Sequence, residues 1–351
     1  MIHLNTYGWN DKLNQLKQKS AHKALFHGRV AIVHRTCYEV ISGNGLFQCE
    51  LTGNMMYGKS DFELPCTGDW VIFQSFDENK GIIVDMLPRE RILYRKKSGT
   101  VTDKQAIASY IDKAFIVQSL DDNFNVRRAE RFMVQILEEN IKPVLIFNKV
   151  DLGFDRQTIE EQIKHIAHQI PVFFTSIHRS ETILRLRESI VEGETVVFVG
   201  SSGVGKSSLV NALCEKLVLS TSDISLSTGK GRHTSTRREM ILMDGSGVLI
   251  DTPGVREFGL AIDNPASLTE VLEISDYAKL CRFKNCEHIN ELGCAVLEAV
   301  SGGILDRKVY DSYLKLRREM WHFSTLEHEK RKRDKSFSKL VDEVKKRKTN
   351  L

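Results

Sequence analysis

The 351-residue sequence predicts a multidomain chain: a small N-terminal β-barrel, a central α/β domain on a doubly wound sheet, and a C-terminal helical metal-binding domain. Three observations predict it. Short β-type runs crowd between Arg29 and Arg95, apolar strands alternate with helical patterns from about Lys113, and after about Asp263 the sequence turns cysteine-rich, then helical and charged. At roughly 150 residues per domain the length suits two to three domains. The composition, 41% hydrophobic and 27% charged, excludes disorder, collagen-like repetition or coiled coil for the bulk of the chain. No repeat occurs at solenoid periods.

The barrel strands are expected at Val30 to His34, Leu46 to Leu51, Trp70 to Phe76, Ile82 to Asp85 and Ile92 to Tyr94, with turns at Ser42 to Gly45, Thr67 to Asp69 and Asn79 to Gly81. Closely spaced short strands that must protect their edges close into a barrel. Its aromatics Tyr38, Phe47, Tyr57, Trp70 and Phe73 read mainly as core, while Arg89, Arg91, Arg95, Lys96 and Lys97 form a basic exit. Residues 98–103 read as a linker.

The central domain offers six strands: Ala114 to Gln118, Pro143 to Phe147, Val172 to Thr175, Val196 to Val199, Met240 to Met243 and Val248 to Ile250. Between the first two, Ala129, Phe132, Met133, Ile136 and Leu137 form one helical stripe, which assigns them to core.

Gly200-Ser201-Ser202-Gly203-Val204-Gly205-Lys206-Ser207 fits G-x-x-x-x-G-K-S and stands between an apolar strand and the helical Ser208 to Leu213. Phosphate oxygens need many donors at close range, and glycine backbone N–H groups at a helix start supply them without bulk. Lys206 is assigned to the β and γ oxygens and Ser207 to Mg²⁺. Asp251-Thr252-Pro253-Gly254 follows a strand, so Asp251 can hold Mg²⁺ through water and the Gly254 N–H can sense the γ-phosphate.

Asn148-Lys149-Val150-Asp151 ends another strand. A carboxylate there accepts both the ring N–H and the exocyclic amine of guanine, a donor pair adenine lacks. Asn148 buttresses the loop, Lys149 lies along the base, and Thr175-Ser176 matches a second base loop in part, with Ile177 where alanine is commoner. Residues 148–151 precede 200–207, the reverse of the usual order, which marks circular permutation.

These motifs, with Ser119-Leu120-Asp121, Phe124-Asn125, Arg127-Arg128, Glu130-Arg131, Gly231 to Thr234 and Asp251 to Leu260, resemble the ribosome-small-subunit-dependent GTPase A family over nearly the whole chain. The resemblance implies an oligonucleotide-binding (OB-fold) barrel, a permuted GTPase domain and a zinc domain, acting late in maturation of the small (30S) ribosomal subunit. It also implies slow GTP hydrolysis that the subunit stimulates. The expected domains are 1–100, 105–262 and 263–351.

Val255 occupies the place where many switch GTPases carry a water-orienting glutamine, so another group must position the water. His233, where the family pattern also has a histidine, is the candidate. The Mg²⁺-sensing hydroxyl is Thr234 or Thr236; the family's usual threonine between them is Ser235 here.

Cys281, Cys286, His288 and Cys294 supply three thiolates and an imidazole, a closed tetrahedron for one structural Zn²⁺. Cys37, Cys49, Cys66 and Cys214 read as small apolar residues. From Thr325 onward ten Lys or Arg oppose five Asp or Glu, so a nearly neutral chain ends in a basic tail suited to rRNA. Apolar runs are strand-sized and the first 19 residues lack an apolar stretch, so no membrane span or secretory signal is expected. The expected location is cytoplasmic, the expected partners are GTP/GDP, the 30S subunit and its rRNA, and a monomer is expected. The alternative is an RNA-binding scaffold that uses guanine nucleotide only structurally.

Overall fold

The computed structural model describes residues 1–57, 59–96, 104–121, 124–167, 170–215, 238–251 and 265–321. The described residues divide into two compact units: those of Met1–Arg95 and Gln105–Phe258, and those of Lys96–Lys104 and Gly259–Leu351.

The first unit opens with a closed barrel of β1 (Phe26–Val33), β2 (Tyr38–Ser42), β3 (Gly45–Leu51), β4 (Trp70–Asp77) and β5 (Lys80–Met86). The pairing runs β1-β2-β3-β5-β4 and returns from β4 to β1, with only β3 and β5 parallel. Closure leaves no edge strand exposed. Alternation does the sorting: in β3, Phe47 and Cys49 are buried while Leu46, Gln48 and Glu50 face out. Val30, Val40, Val71, Phe73 and Ile83 complete the filling. Gly28 is required where β1 crosses β2, because a Cβ there would lie 2.5 Å from the Ile41 carbonyl oxygen.

Two expectations need correction here. Tyr38–Ser42 is a barrel strand that the sequence reading passed over, because it runs straight into the turn at Ser42 to Gly45. Conversely, β6 (Leu93–Lys96) lies outside the barrel and pairs with β7 (Lys104–Ala108). The expected linker, 98–103, lies outside the described residues. Tyr38, Phe47, Trp70 and Phe73 are core, whereas Tyr57 is exposed.

The sheet continues beyond the barrel in the six expected strands: β8 (Lys113–Ser119), β9 (Lys142–Asn148), β10 (Val172–Phe174), β11 (Thr195–Val199), β12 (Glu239–Leu242) and β13 (Val248–Asp251). Their order is β10-β9-β8-β11-β13-β12, parallel except for β12. Helices cover it, which is why β8, β9 and β11 read as apolar runs without alternation. Helix Val126–Glu138 buries Ala129, Phe132, Met133 and Ile136 as its stripe requires, with Leu137 half-buried.

Barrel and sheet meet within this unit. β1 pairs with β12 at Ile32 and Glu239. Buried Arg29 donates to the carbonyls of Gly68, Tyr7 and Tyr110 and, at 2.8 Å, to Thr195 Oγ1 at the root of β11. Burial draws its pKa down to about 10, against which Asp112, Tyr110 and Asp69 act, so it stays cationic at neutral pH. Arg89 of the expected basic exit is committed to buried Asp69 at 2.6 Å and to the carbonyls of Phe62 and Leu64, and Arg91 pairs with Asp112.

The second unit contributes helices Pro265–Val271, Ser275–Ala278, Ala295–Ser301 and 307–321. Among the described residues no helix is long and apolar enough to cross a membrane.

Candidate functional site

Because β8 to β11 and β13 are parallel, their carboxyl ends share one edge, the usual ligand edge of such sheets. Asn148 ends β9, Thr175 and Ser176 follow β10, Gly200 follows β11, and Asp251 ends β13. The carboxyl edge therefore assembles two loops far apart in sequence.

The phosphate loop turns through positive φ at Gly200, Gly203 and Gly205. Gly200 passes so close to β8 that a Cβ would meet the Val117 carbonyl oxygen at 2.4 Å. Val204 is buried in the sheet's core and anchors the loop, and helix Lys206–Cys214 starts directly after Gly205, carrying Ser207 and Ser208 in its first turn. Ser201 and Ser202 are half-buried. Lys206 Nζ donates to the carbonyls of Gly200 at 2.9 Å and Ser201 at 2.6 Å, so the ammonium is folded over its own loop.

The base loop is tied to it through one side chain. Asn148 Nδ2 donates to the Val204 carbonyl at 2.9 Å, while Asn148 Oδ1 accepts the Thr175 hydroxyl at 3.2 Å. Gly205 leaves room for this: a Cβ would lie 2.3 Å from Asn148 Nδ2. Lys149 adopts left-handed φ of 64° and its ammonium pairs with Asp121 Oδ2 at 3.0 Å. Such a backbone for a non-glycine residue is a strained turn of the kind found at ligand sites. Ser176 Oγ donates to Asp151 Oδ1 at 2.5 Å, and that bond foremost holds the Asp151 carboxyl below its ordinary range. Asp151 is therefore an anion, free of protons, wherever the chain is at neutral pH.

Asp251 is buried at the end of β13, beside the P-loop strand β11. Ser207 and Asp251 thus stand on adjacent elements at the same edge, oxygen donors of the kind Mg²⁺ takes. His233, Thr234, Thr236 and Gly254 lie outside the described residues.

Sequence reasoning gave no role to Asp121 or Arg128. Arg128 Nη1 donates to Ser201 Oγ at 2.8 Å. Both residues appeared only as family marks, since nothing in their spacing reveals which loop they reach.

In the second unit the ligand atoms of Cys281, Cys286, His288 and Cys294 lie within 4.8 Å of one another. Cys281 Sγ is 3.8 Å from Cys294 Sγ, and His288 Nδ1 is 3.5 and 3.4 Å from those sulfurs. A tetrahedron with metal–sulfur bonds of about 2.3 Å has edges of about 3.8 Å, which the Cys281–Cys294 separation matches, so these four residues could hold Zn²⁺. Burial and the adjacent thiols push Cys286 up to about 12, a cost that a bound cation would remove. Burial, then Arg317, lowers the His288 pKa and favours the neutral ring a metal needs. Glu291, also missed by sequence reasoning, shapes the turn: despite partial burial, bonds from the N–H groups of Glu287, Ile289 and Asn290 draw it down to about 2.

The RsgA GTPase family model matches residues 86–261. The small ribosomal subunit biogenesis GTPase RsgA 1 of Bacteroides thetaiotaomicron is 74% identical over 348 residues, 99% of this chain and 98% of that protein. The small ribosomal subunit biogenesis GTPase RsgA of Methanosarcina acetivorans is 38% identical, over 90% of this chain and 85% of its own. Among solved structures, YjeQ from Thermotoga maritima superposes with a TM-score of 0.64 at 24% identity, covering 84% of this chain and 98% of that one. YloQ, a circularly permuted GTPase, gives 0.62 at 23% identity, covering 87% and 98%.

Proposed function

We propose that this chain, which belongs to the RsgA GTPase family, hydrolyses GTP to GDP and phosphate as a late maturation factor of the small ribosomal subunit, whose presence stimulates turnover. The observation that supports the reading is Asn148, which ties residues 148–151 to the loop at Val204 and to Thr175.

In this reading the anionic Asp151 accepts two hydrogen bonds from guanine, and Ser176 aims it. The Lys149 stem lies along the base. Phosphate oxygens take the N–H groups of residues 201–208, and Lys206 leaves the carbonyls of Gly200 and Ser201 for the β and γ oxygens. Ser207 and Asp251 would hold Mg²⁺, which would neutralise charge on the phosphates. The Gly254 N–H senses the γ-phosphate, either Thr234 or Thr236 senses the Mg²⁺ site, and His233 positions the attacking water. The proposed domains are a barrel at 1–100, the GTPase at 105–262 and a zinc domain at 263–351, where Cys281, Cys286, His288 and Cys294 hold one structural Zn²⁺. The basic tail after Thr325 meets rRNA phosphates. A cytoplasmic monomer completes the reading.

Hydrolysis of GTP measured with and without purified small subunits, with ATP as control, tests it. Stimulated turnover of GTP alone is expected; bound guanine nucleotide with no stimulated hydrolysis would indicate a scaffold instead. His233→Ala is expected to keep GTP affinity and lose most stimulated turnover, and unchanged stimulated turnover would remove His233 from the mechanism.

A further inference from the structure

We propose that Arg128 is a positioning residue of the phosphate cradle, acting through the Ser201 hydroxyl. The proposal rests on the reading that residues 200–207 hold the phosphates of a guanine nucleotide.

Arg128 stands in the first turn of helix Val126–Glu138, where the Asn125 side chain accepts its backbone N–H at 3.1 Å. Ala129, Glu130, Phe132 and Met133 are buried beside it, so its guanidinium projects from a fixed base. Through Nη1 it reaches across to Ser201 Oγ at 2.8 Å, and both residues are half-buried. A hydrogen bond from a cationic donor is roughly twice as strong as a neutral one, more so away from bulk water.

Ser201 is held both through its side chain and through its backbone. Its hydroxyl is bound by Arg128 and its carbonyl by Lys206, while Gly200 before it is wedged against Val117. When Lys206 moves to phosphate oxygens, the carbonyls of Gly200 and Ser201 lose that donor. Arg128 keeps its hold on Ser201, because it works on the side chain and from a different helix. It thereby fixes the second residue of the cradle while the lysine is engaged, and it brings a permanent positive charge to the rim of a site for a polyanion. The usual phosphate-loop motif requires no such partner outside its own strand and helix.

The test is a double-mutant cycle on the full chain, reading the Kd for GDP, together with KM and kcat for GTP. Arg128→Ala and Ser201→Ala are each expected to weaken GDP binding by about five- to tenfold. The double variant should be no weaker than either, and the loss should fall in KM rather than kcat. Arg128→Lys, which keeps a cationic donor, should recover part of the affinity. Wild-type affinity in Arg128→Ala, effects that multiply in the double variant, or a kcat loss with Kd unchanged would each overturn the proposal. Should Arg128→Ala fail to fold, Ser201→Ala carries the test from the loop side, and unaltered GDP binding there would be equally fatal. A wild-type chain that binds no GDP would overturn the functional reading as well; a wild-type chain that binds it beside an unaltered Arg128→Ala overturns only the role of Arg128.

Discussion

Asn148 turns both ends of its amide into the protein, one to the phosphate loop at Val204 and one to Thr175 behind the base loop. Asn148→Ala would strand a buried carbonyl and a buried hydroxyl, a cost of about 1–3 kcal/mol. The expected outcome is a chain that stays folded but loses guanine-nucleotide affinity for base and phosphate together, seen as weaker binding of GDP and of free guanosine alike in calorimetry. Asp151 makes a pH prediction. Its folded pKa lies below the ordinary value because Ser176 donates to the charged form, so the carboxylate persists through neutral and mildly acid pH and is lost only as pH falls through that lowered value. Ser176→Ala should raise it, so that nucleotide affinity, titrated downward in pH, begins to fail earlier than in the wild type. Identical acid limbs would contradict this. The motif residues were legible in the sequence because their chemistry dictates their type and spacing; Asp121, Arg128 and Glu291 were not, because a side chain that braces a loop from another element leaves no local pattern.

At the scale of elements, β8, β9, β11 and β13 were legible since each is buried on both faces and reads as an apolar run. By contrast β12 is half-buried at its ends and β10 throughout, and these two were legible from their place in the alternation of strand and helix. The barrel was harder. Only β3 and β5 alternate, the other strands mix buried runs with exposed ends, and β2 runs straight into the turn that joins it to β3. The contact between barrel and sheet was invisible, as Arg29 looks like any basic residue until it is found buried against Thr195 and three carbonyls. Arg29→Met keeps much of the volume but leaves those acceptors without their donor, and should destabilise the unit by about 2–4 kcal/mol in urea unfolding. A change below about 0.5 kcal/mol would show that the cation contributes nothing to holding β1 on β11. In the second unit Glu291→Gln should weaken the turn around His288, since the charged acceptor of three backbone N–H groups is replaced by a neutral one. Zinc retention against a chelator is the readout, and equal retention would contradict it.

For the whole molecule, permutation is inexpensive because it changes the order in which strands are made and leaves their arrangement in the sheet. It places β9, which leads into the proposed base loop, before β11, which leads into the proposed phosphate loop, yet one asparagine ties those loops together. The Cys281, Cys286, His288 and Cys294 cluster belongs to the other unit, so removing the proposed zinc should unfold residues around Cys281 to Cys294 while nucleotide binding survives. Loss of both together on chelation would contradict that independence. The central claim is that a carboxylate at 151 chooses guanine for a phosphate loop that follows it in the chain, and Asp151→Asn tests it most directly. An amide there offers an N–H where the carboxylate offered only acceptors, so it should lose GTP and gain xanthosine triphosphate, whose second ring carbonyl replaces the guanine amine. Measured binding of the two nucleotides should therefore cross over between wild type and variant; a variant that still prefers GTP would contradict the account.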